Sequence, residues 1–284
     1  MSEPLLTNPS AVVWLPGDKT LQNALANATH LGIGAHHDDL EFMAFEGIAS
    51  CHAKPGRGFV GITCTDGRGS ARGGDMAETD ADSLACLRIA EQENAAKIGG
   101  YAAMVQLGYP SSEASGASLV NDLARLLAAS HADVVYTHNP ADKHRTHLAV
   151  FSSVLKALRS LPPNQRPRRF VGCEVWRDLD WMPDGEKVRM DVSGHETLAQ
   201  QLNAVFVSQI AGGKRYDLAV PGRRSANATF SEPRDGDNAT QVLVGIDLMP
   251  LLLDDQLDPV EFTCGFIRRF EQQVRGGLSQ FFPR

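Results

Sequence analysis

Short apolar runs rich in β-branched and aromatic residues recur along this chain, separated by segments whose hydrophobic positions fall at helical spacing. That alternation constrains the fold more than any other feature, because it calls for strands covered by crossover helices. The strand candidates are residues 30–35, 58–64, 104–107, 133–137 and 170–176, each bounded by Gly, Pro or Asp. Residues 80–99 carry Leu84, Leu87, Ala95 and Ile98 at helical spacing and stop at Gly99-Gly100, a helix-ending signal. Glu91 shares that stripe and is expected to be buried and paired. Residues 195–210 repeat the pattern with Leu198, Leu202 and Val205, predicting one further helix before Gly212-Gly213. Asp258, Pro259 and Glu261 set a capping residue, a proline at the first helical position and a glutamate before Phe262, Phe266 and Phe270. The pattern predicts an α/β fold with a mostly parallel sheet and helices on its faces. It reads as one domain over 30–284, preceded by an appended extension over 1–29 with a helix near 20–28. Residues 214–238, rich in Arg, Asn, Asp, Gly and Pro, predict a long surface loop or flap.

Composition narrows the partners. With 284 residues, 43% hydrophobic and 21% charged, the chain can bury a sizeable core. Its formal charge of -7 argues against nucleic acid or an anionic membrane surface and for a small-molecule or glycoconjugate substrate. The five cysteines are odd in number and never spaced as C-x-x-C, so neither a disulfide framework nor a cysteine zinc knuckle is indicated. The start of the chain lacks a basic stretch followed by an apolar core, and no run is long enough to span a bilayer. The expectation is a cytoplasmic protein without a membrane anchor; self-association stays open.

The chemistry gathers at two strand ends. The first strand runs into His36-His37-Asp38-Asp39-Leu40-Glu41, and the run 133–137 leads into 138–147, with His138, Asp142, His144 and His147. In open α/β sheets ligands bind at the carboxyl ends of the strands, so both clusters fall where an active site belongs. The residues after His147 are plainly helical, so His144 and His147, three apart, share one face at a helix N-terminus. Imidazoles and carboxylates converging from two strand ends suit zinc, or another divalent transition metal, in a catalytic site. A nearby carboxylate then serves as general base and an imidazole faces the developing oxyanion. Spacing alone does not choose among His36, His37, Asp38 and Asp39.

These residues resemble a known family. Ala35-His36-His37-Asp38-Asp39 is similar to the A-H-P-D-D motif of the PIG-L or LmbE-like N-deacetylases, zinc-dependent hydrolases that remove acetyl groups from N-acetylglucosaminyl conjugates and related amides. Residues 65–73 resemble the family's glycine-rich loop with its arginine, and Arg88, Glu91, Ala95, Ala96 and Gly99 resemble the helix after it. Residues 107–110 match an L-G-Y-P turn, 144–147 stand at the H-P-D-H motif, and Ser208-Gln209 resembles the S-Q that ends a later helix. The resemblance implies a Rossmann-like three-layer fold. It implies that His36, Asp39 and His147 bind zinc, that Asp38 is the general base and that protonated His144 polarises the substrate carbonyl. Arg72 is implied to face the substrate. Three positions depart from the family. His37 replaces the proline, as an exposed imidazole or a partner behind a ligand. Thr146 replaces the aspartate that would orient His144, a part Asp142 is the candidate to take. Ser111 stands where an aspartate often contacts sugar hydroxyls.

Other readings are weaker. Gly32-Ile33-Gly34 lacks the third glycine of a dinucleotide loop, and no G-x-S-x-G elbow marks a serine hydrolase. The competitors are a hydratase on the same metal scaffold and a non-catalytic sugar-binding module, which amine release separates.

Overall fold

The computed structural model of the chain describes residues 4–282. It opens with β1 (Val12–Trp14), α1 (Leu21–Ala26) and β2 (His30–Gly34). Next come α2 (Asp39–Met43), α3 (Phe45–Cys51), β3 (Phe59–Thr65), α4 (Ala81–Gly99) and β4 (Ala103–Tyr109). The centre holds α5 (Ala117–Ala129), β5 (Val134–His138), α6 (Arg145–Ser160) and β6 (Arg169–Cys173). The last part carries β7 (Lys187–Asp191), α7 (Glu196–Ala204), α8 (Val207–Ala211), α9 (Tyr216–Thr229), β8 (Val242–Asp247), α10 (Pro250–Leu253) and α11 (Pro259–Ser279).

The eight strands form one sheet in the order β1-β4-β3-β2-β5-β6-β8-β7. The five central strands are parallel, and β1, β8 and β7 join antiparallel to their neighbours. The expected α/β fold with a mostly parallel sheet is therefore the observed one. Period-2 alternation builds the layers. Leu31, Ile33 and Ala35 face a core closed by α1, α5, α6 and α10, while Phe59, Met104 and Tyr136 face a second core under α2, α3, α4 and α7. Helices thus cover both faces of the sheet.

Three sequence expectations differ from the structure. The described part of 1–29 is built into the domain rather than appended to it; residues 1–3 lie outside the described residues. Val12–Trp14 pairs antiparallel with β4, and Thr7 binds the buried Asp122 carboxylate through its amide at 3.1 Å and its hydroxyl at 2.7 Å. The helix expected over 195–210 is two helices, because the chain turns at Phe206 (ψ 57°) and presents the Ser208 amide and hydroxyl to Glu91, both at 2.7 Å. Glu91 is buried and paired as its stripe implies. Finally, 214–238 is not a loop throughout: Tyr216–Thr229 is helical despite Pro221, and only residues 214–215 and the stretch after the helix are irregular. Its polar composition hides the helix because this helix lines a cleft rather than a continuous apolar core.

Candidate metal and active site

The strand order reverses between β2 and β5, whose neighbours on the other side are β3 and β6. That switch point is the crevice where an open α/β sheet holds its ligand. The end of β2 delivers His36, Asp38 and Asp39 there; the end of β5 and the first turn of α6 deliver His144 and His147.

His36, Asp39 and His147 converge. His36 Nδ1 lies 3.2 Å from His147 Nε2 and 3.3 Å from Asp39 Oδ2, and His147 Nε2 lies 3.4 Å from Asp39 Oδ1. Donors on a tetrahedral ion at zinc–nitrogen distances stand about 3.4 Å apart, so this trio fits such an ion by spacing and by donor chemistry. Gly34 makes the approach feasible, since a Cβ there would sit 2.9 Å from the Asp39 Cβ. Burial alone would raise the Asp39 carboxyl, yet the adjoining imidazoles of His147, His138 and His36 hold it well below the ordinary range. Burial pushes His147 down to about 4, against the pull of Asp39, which leaves its imidazole neutral and its lone pair available. His144 also brings a ring nitrogen close to His36 and His147, so it stands at the edge of the same cluster.

Asp142 supports this cluster from behind. Its Oδ2 is 3.2 Å from His147 Nδ1, the carboxylate–imidazole contact that fixes the ring of a metal-binding histidine, and its Oδ1 accepts the His144 amide at 2.9 Å. Asp142 therefore orients His147 and does not replace the missing aspartate beside the His144 ring. The His144 Nδ1 is buried without a hydrogen-bond partner. Burial, followed by the charge of His36, lowers the His144 pKa, which disfavours the expected cation.

Asp38 occupies a strained backbone position, φ 89° and ψ −28°, as the cap of α2. Gln92 Oε1 accepts its amide at 3.0 Å and Arg88 Nη2 donates to its Oδ2 at 3.1 Å. Burial raises the Asp38 carboxyl to about 7, opposed by Arg88, a value suited to exchanging a proton near neutrality. The same Arg88 nitrogen donates to the His37 carbonyl. His37 is buried rather than exposed, and it does not join the cluster. Gly67 (φ +73°) gives it room, because a Cβ there would lie 2.9 Å from the His37 Nδ1.

The cleft above this centre has a volume of about 510 Å³ and is lined by the Gly67–Ala71 loop, Arg88, Ser111, His144, Thr146 and Trp176, with Gln209, Lys214 and Tyr216. Arg72 is not in the lining: it is exposed and donates to the Thr79 carbonyl at 3.2 Å. Arg88, reached through the helix rather than the loop, is the arginine that faces the site. Sequence reasoning also passed over Trp176, Tyr216 and Lys214; the Lys214 ammonium lies 4.9 Å from the Trp176 ring centroid. His138 was in the strand-end cluster without a role. Its Nε2 accepts the Ala35 amide at 2.9 Å and its ring stacks on His147 at 3.8 Å, so it ties the two strand ends together and has spent its lone pair.

Residues 31–158 match the family described as PIG-L, GlcNAc-PI de-N-acetylase. The chain is 28% identical over 157 residues to a protein named as an uncharacterized deacetylase, YaiS, of Escherichia coli K12, covering 51% of this chain and 78% of that protein. Its fold is similar to that of N,N'-diacetylchitobiose deacetylase from Pyrococcus horikoshii (TM-score 0.59, 19% identity, 79% of this chain and 86% of that one). It is equally similar to GalB, the 4-carboxy-2-hydroxymuconate hydratase of Pseudomonas putida (TM-score 0.59, 16% identity, 78% and 96% covered).

Proposed function

With residues 31–158 belonging to the PIG-L/LmbE-like family, we propose that this chain is a metal-dependent amide hydrolase that removes an acetyl or larger acyl group from the amine of an amino-sugar conjugate or a related small amide. The observation that carries the reading is the mutual approach of His36, Asp39 and His147 at the switch point, with Asp38 buried beside them. His36, Asp39 and His147 would hold the ion. A divalent metal in that position supplies Lewis acidity to the scissile carbonyl and favours deprotonation of water at neutral pH.

The chain's own residues supply the rest. Asp38 accepts the proton of the attacking water and returns it to the leaving nitrogen, so the products are a carboxylate and a free amine. Arg88 and Gln92 hold Asp38 in its strained conformation, so its carboxylate is aimed before substrate arrives. Neutral His144 donates a hydrogen bond to the substrate carbonyl oxygen as negative charge develops there. Ser111, Thr146 and Gln209 give the cleft polar partners for a hydroxylated substrate, and Trp176 gives it a flat apolar wall.

The deciding measurement is metal content by elemental analysis, with His147→Ala in parallel, followed by assay of amine release from N-acetyl amino sugars. Near-stoichiometric metal that the variant loses, with metal-dependent amine release, is the expected result. Metal binding with no amine released from any conjugate would move the reading to a hydratase, whose fold is shared. Absence of metal after reconstitution would leave a sugar-binding module.

A further inference from the structure

A second chamber of about 260 Å³ adjoins the cleft and shares Asp38, Asp39, Trp176 and Tyr216 with it. Building on the amide-hydrolase reading, we propose that this chamber binds a carboxylate-terminated group, which places the acyl half of a dicarboxylic monoamide there. The scissile bond then lies at the junction, with the amine half in the wider polar cleft.

Size argues first. One water takes about 30 Å³ of liquid, so the chamber is several times larger than the methyl of an acetyl group requires. Phe42, Val175, Val220 and Leu243 make its walls apolar, suited to methylenes.

Charge argues second. Helix α9 brings Arg223 and Arg224 to the lining. Arg224 is only 2% exposed; its Nη2 donates to the carbonyls of Glu41 at 2.7 Å and Phe42 at 3.3 Å, and its guanidinium stacks 4.4 Å from the Phe45 centroid. Its Nε and Nη1 are left without partners. Arg223 donates to the Val175 carbonyl. The ion pairs among the described residues include neither arginine. Three acids line the chamber, and each is engaged elsewhere: Asp38 with Arg88, Asp39 with His36 and His147, and Glu174, whose Oε1 accepts the Asn227 amide group and the Val244 amide. A buried cation without an anion is costly, and a planar carboxylate matches the guanidinium fork.

The reaction balances without a further reactant. Water adds across the C–N bond, its oxygen and one proton forming the new carboxylic acid and its other proton going to the nitrogen, which releases a dicarboxylate and an amine.

The test is calorimetric titration of the protein with glutarate and with pentanoate, which differ by one terminal carboxylate. The expected result is glutarate binding about ten-fold tighter or more, with that preference falling to near unity in Arg223→Gln. Arg224→Gln should act in the same direction; because that side chain is buried and such a variant can fail to fold, the partly exposed Arg223 carries the test. Equal affinity for the two acids, or a preference that survives Arg223→Gln, overturns the proposal. Amine release from N-acetyl- and N-glutarylglucosamine is then compared. Faster release from the glutaryl conjugate supports the placement of the acyl half, whereas hydrolysis of the acetyl conjugate alone overturns it and leaves the hydrolase intact. A glutarate preference with no amine from either conjugate supports the carboxylate site and overturns the amide-hydrolase reading instead.

Discussion

Asp38 and Asp39 are neighbours in sequence and opposites in environment: one is raised to about 7 by burial beside Arg88, the other held well down by two imidazoles. Their substitutions should therefore fail in different ways. Asp38→Asn is expected to keep bound metal and lose about 10²–10⁴-fold in kcat, the usual worth of a positioned general base. Asp39→Ala is expected to lose the metal itself, as elemental analysis would show; equal metal loss in both variants would overturn the assignment of roles. Asp142→Asn, one residue behind the ligands, should weaken metal affinity by about 10–100-fold through His147, measured by competition with a chelator. The strand-end cluster was legible in the sequence because ionisable residues directly after an apolar run announce a site. Arg72 misled because a glycine-rich loop makes any arginine in it look aimed at substrate, whereas Arg88 reaches the site from α4, 50 positions along the chain from the Asp38 it contacts. The bond from Ala35 to His138 crosses between strands, and no local signal encodes it.

At the scale of elements, the break between α7 and α8 is held by one buried carboxylate. Glu91 on α4 takes both the amide and the hydroxyl of Ser208, so Glu91→Ala leaves a buried amide unpaired. A loss of about 1–3 kcal/mol is expected in urea denaturation, while Ser208→Ala, which spares the amide bond, should cost about 1 kcal/mol. The five parallel strands were legible from composition and turn residues. Strand β1 escaped notice because three half-buried residues at an edge carry little pattern, and β7 because its sequence alternates charge with apolar residues. Strand β8 carries an ordinary apolar run, Val242–Asp247, that the polar stretch before it obscures. Helix α9 was illegible for a different reason: its inward face carries Arg224, whose burial no periodicity of apolar residues announces.

Across the whole molecule, stability should depend on pH through buried acids. Burial raises Glu174 from an ordinary 4.5 to about 7, opposed by Arg223, so the folded state holds this proton more tightly than the unfolded chain. The stabilisation is full below about pH 4.5 and is lost as pH rises through about 7, by at most about 3 kcal/mol. Glu174→Gln should reduce, without abolishing, the fall of the urea midpoint between about pH 5 and pH 8, since Asp38 and Glu41 are raised in the same way; an unchanged slope would contradict the shift. The far half of α11 stands away from the body, with residues 271–280 all exposed, so removing 272–284 should move Tm by no more than about 2 °C. The donors at the centre lie far apart along the chain, His36 and His147 being separated by 111 positions. A growing chain would therefore offer His36 and Asp39 long before His147 is made, a refolding chain would hold the third donor apart until the sheet closes, and an ion caught early would exchange freely. On the proposed metal site, retention would begin only when β5 docks beside β2, a long-range step of the slow kind. Metal retention would thus be a clock on the closing of this sheet, and a pulse of chelator at successive refolding times would read it.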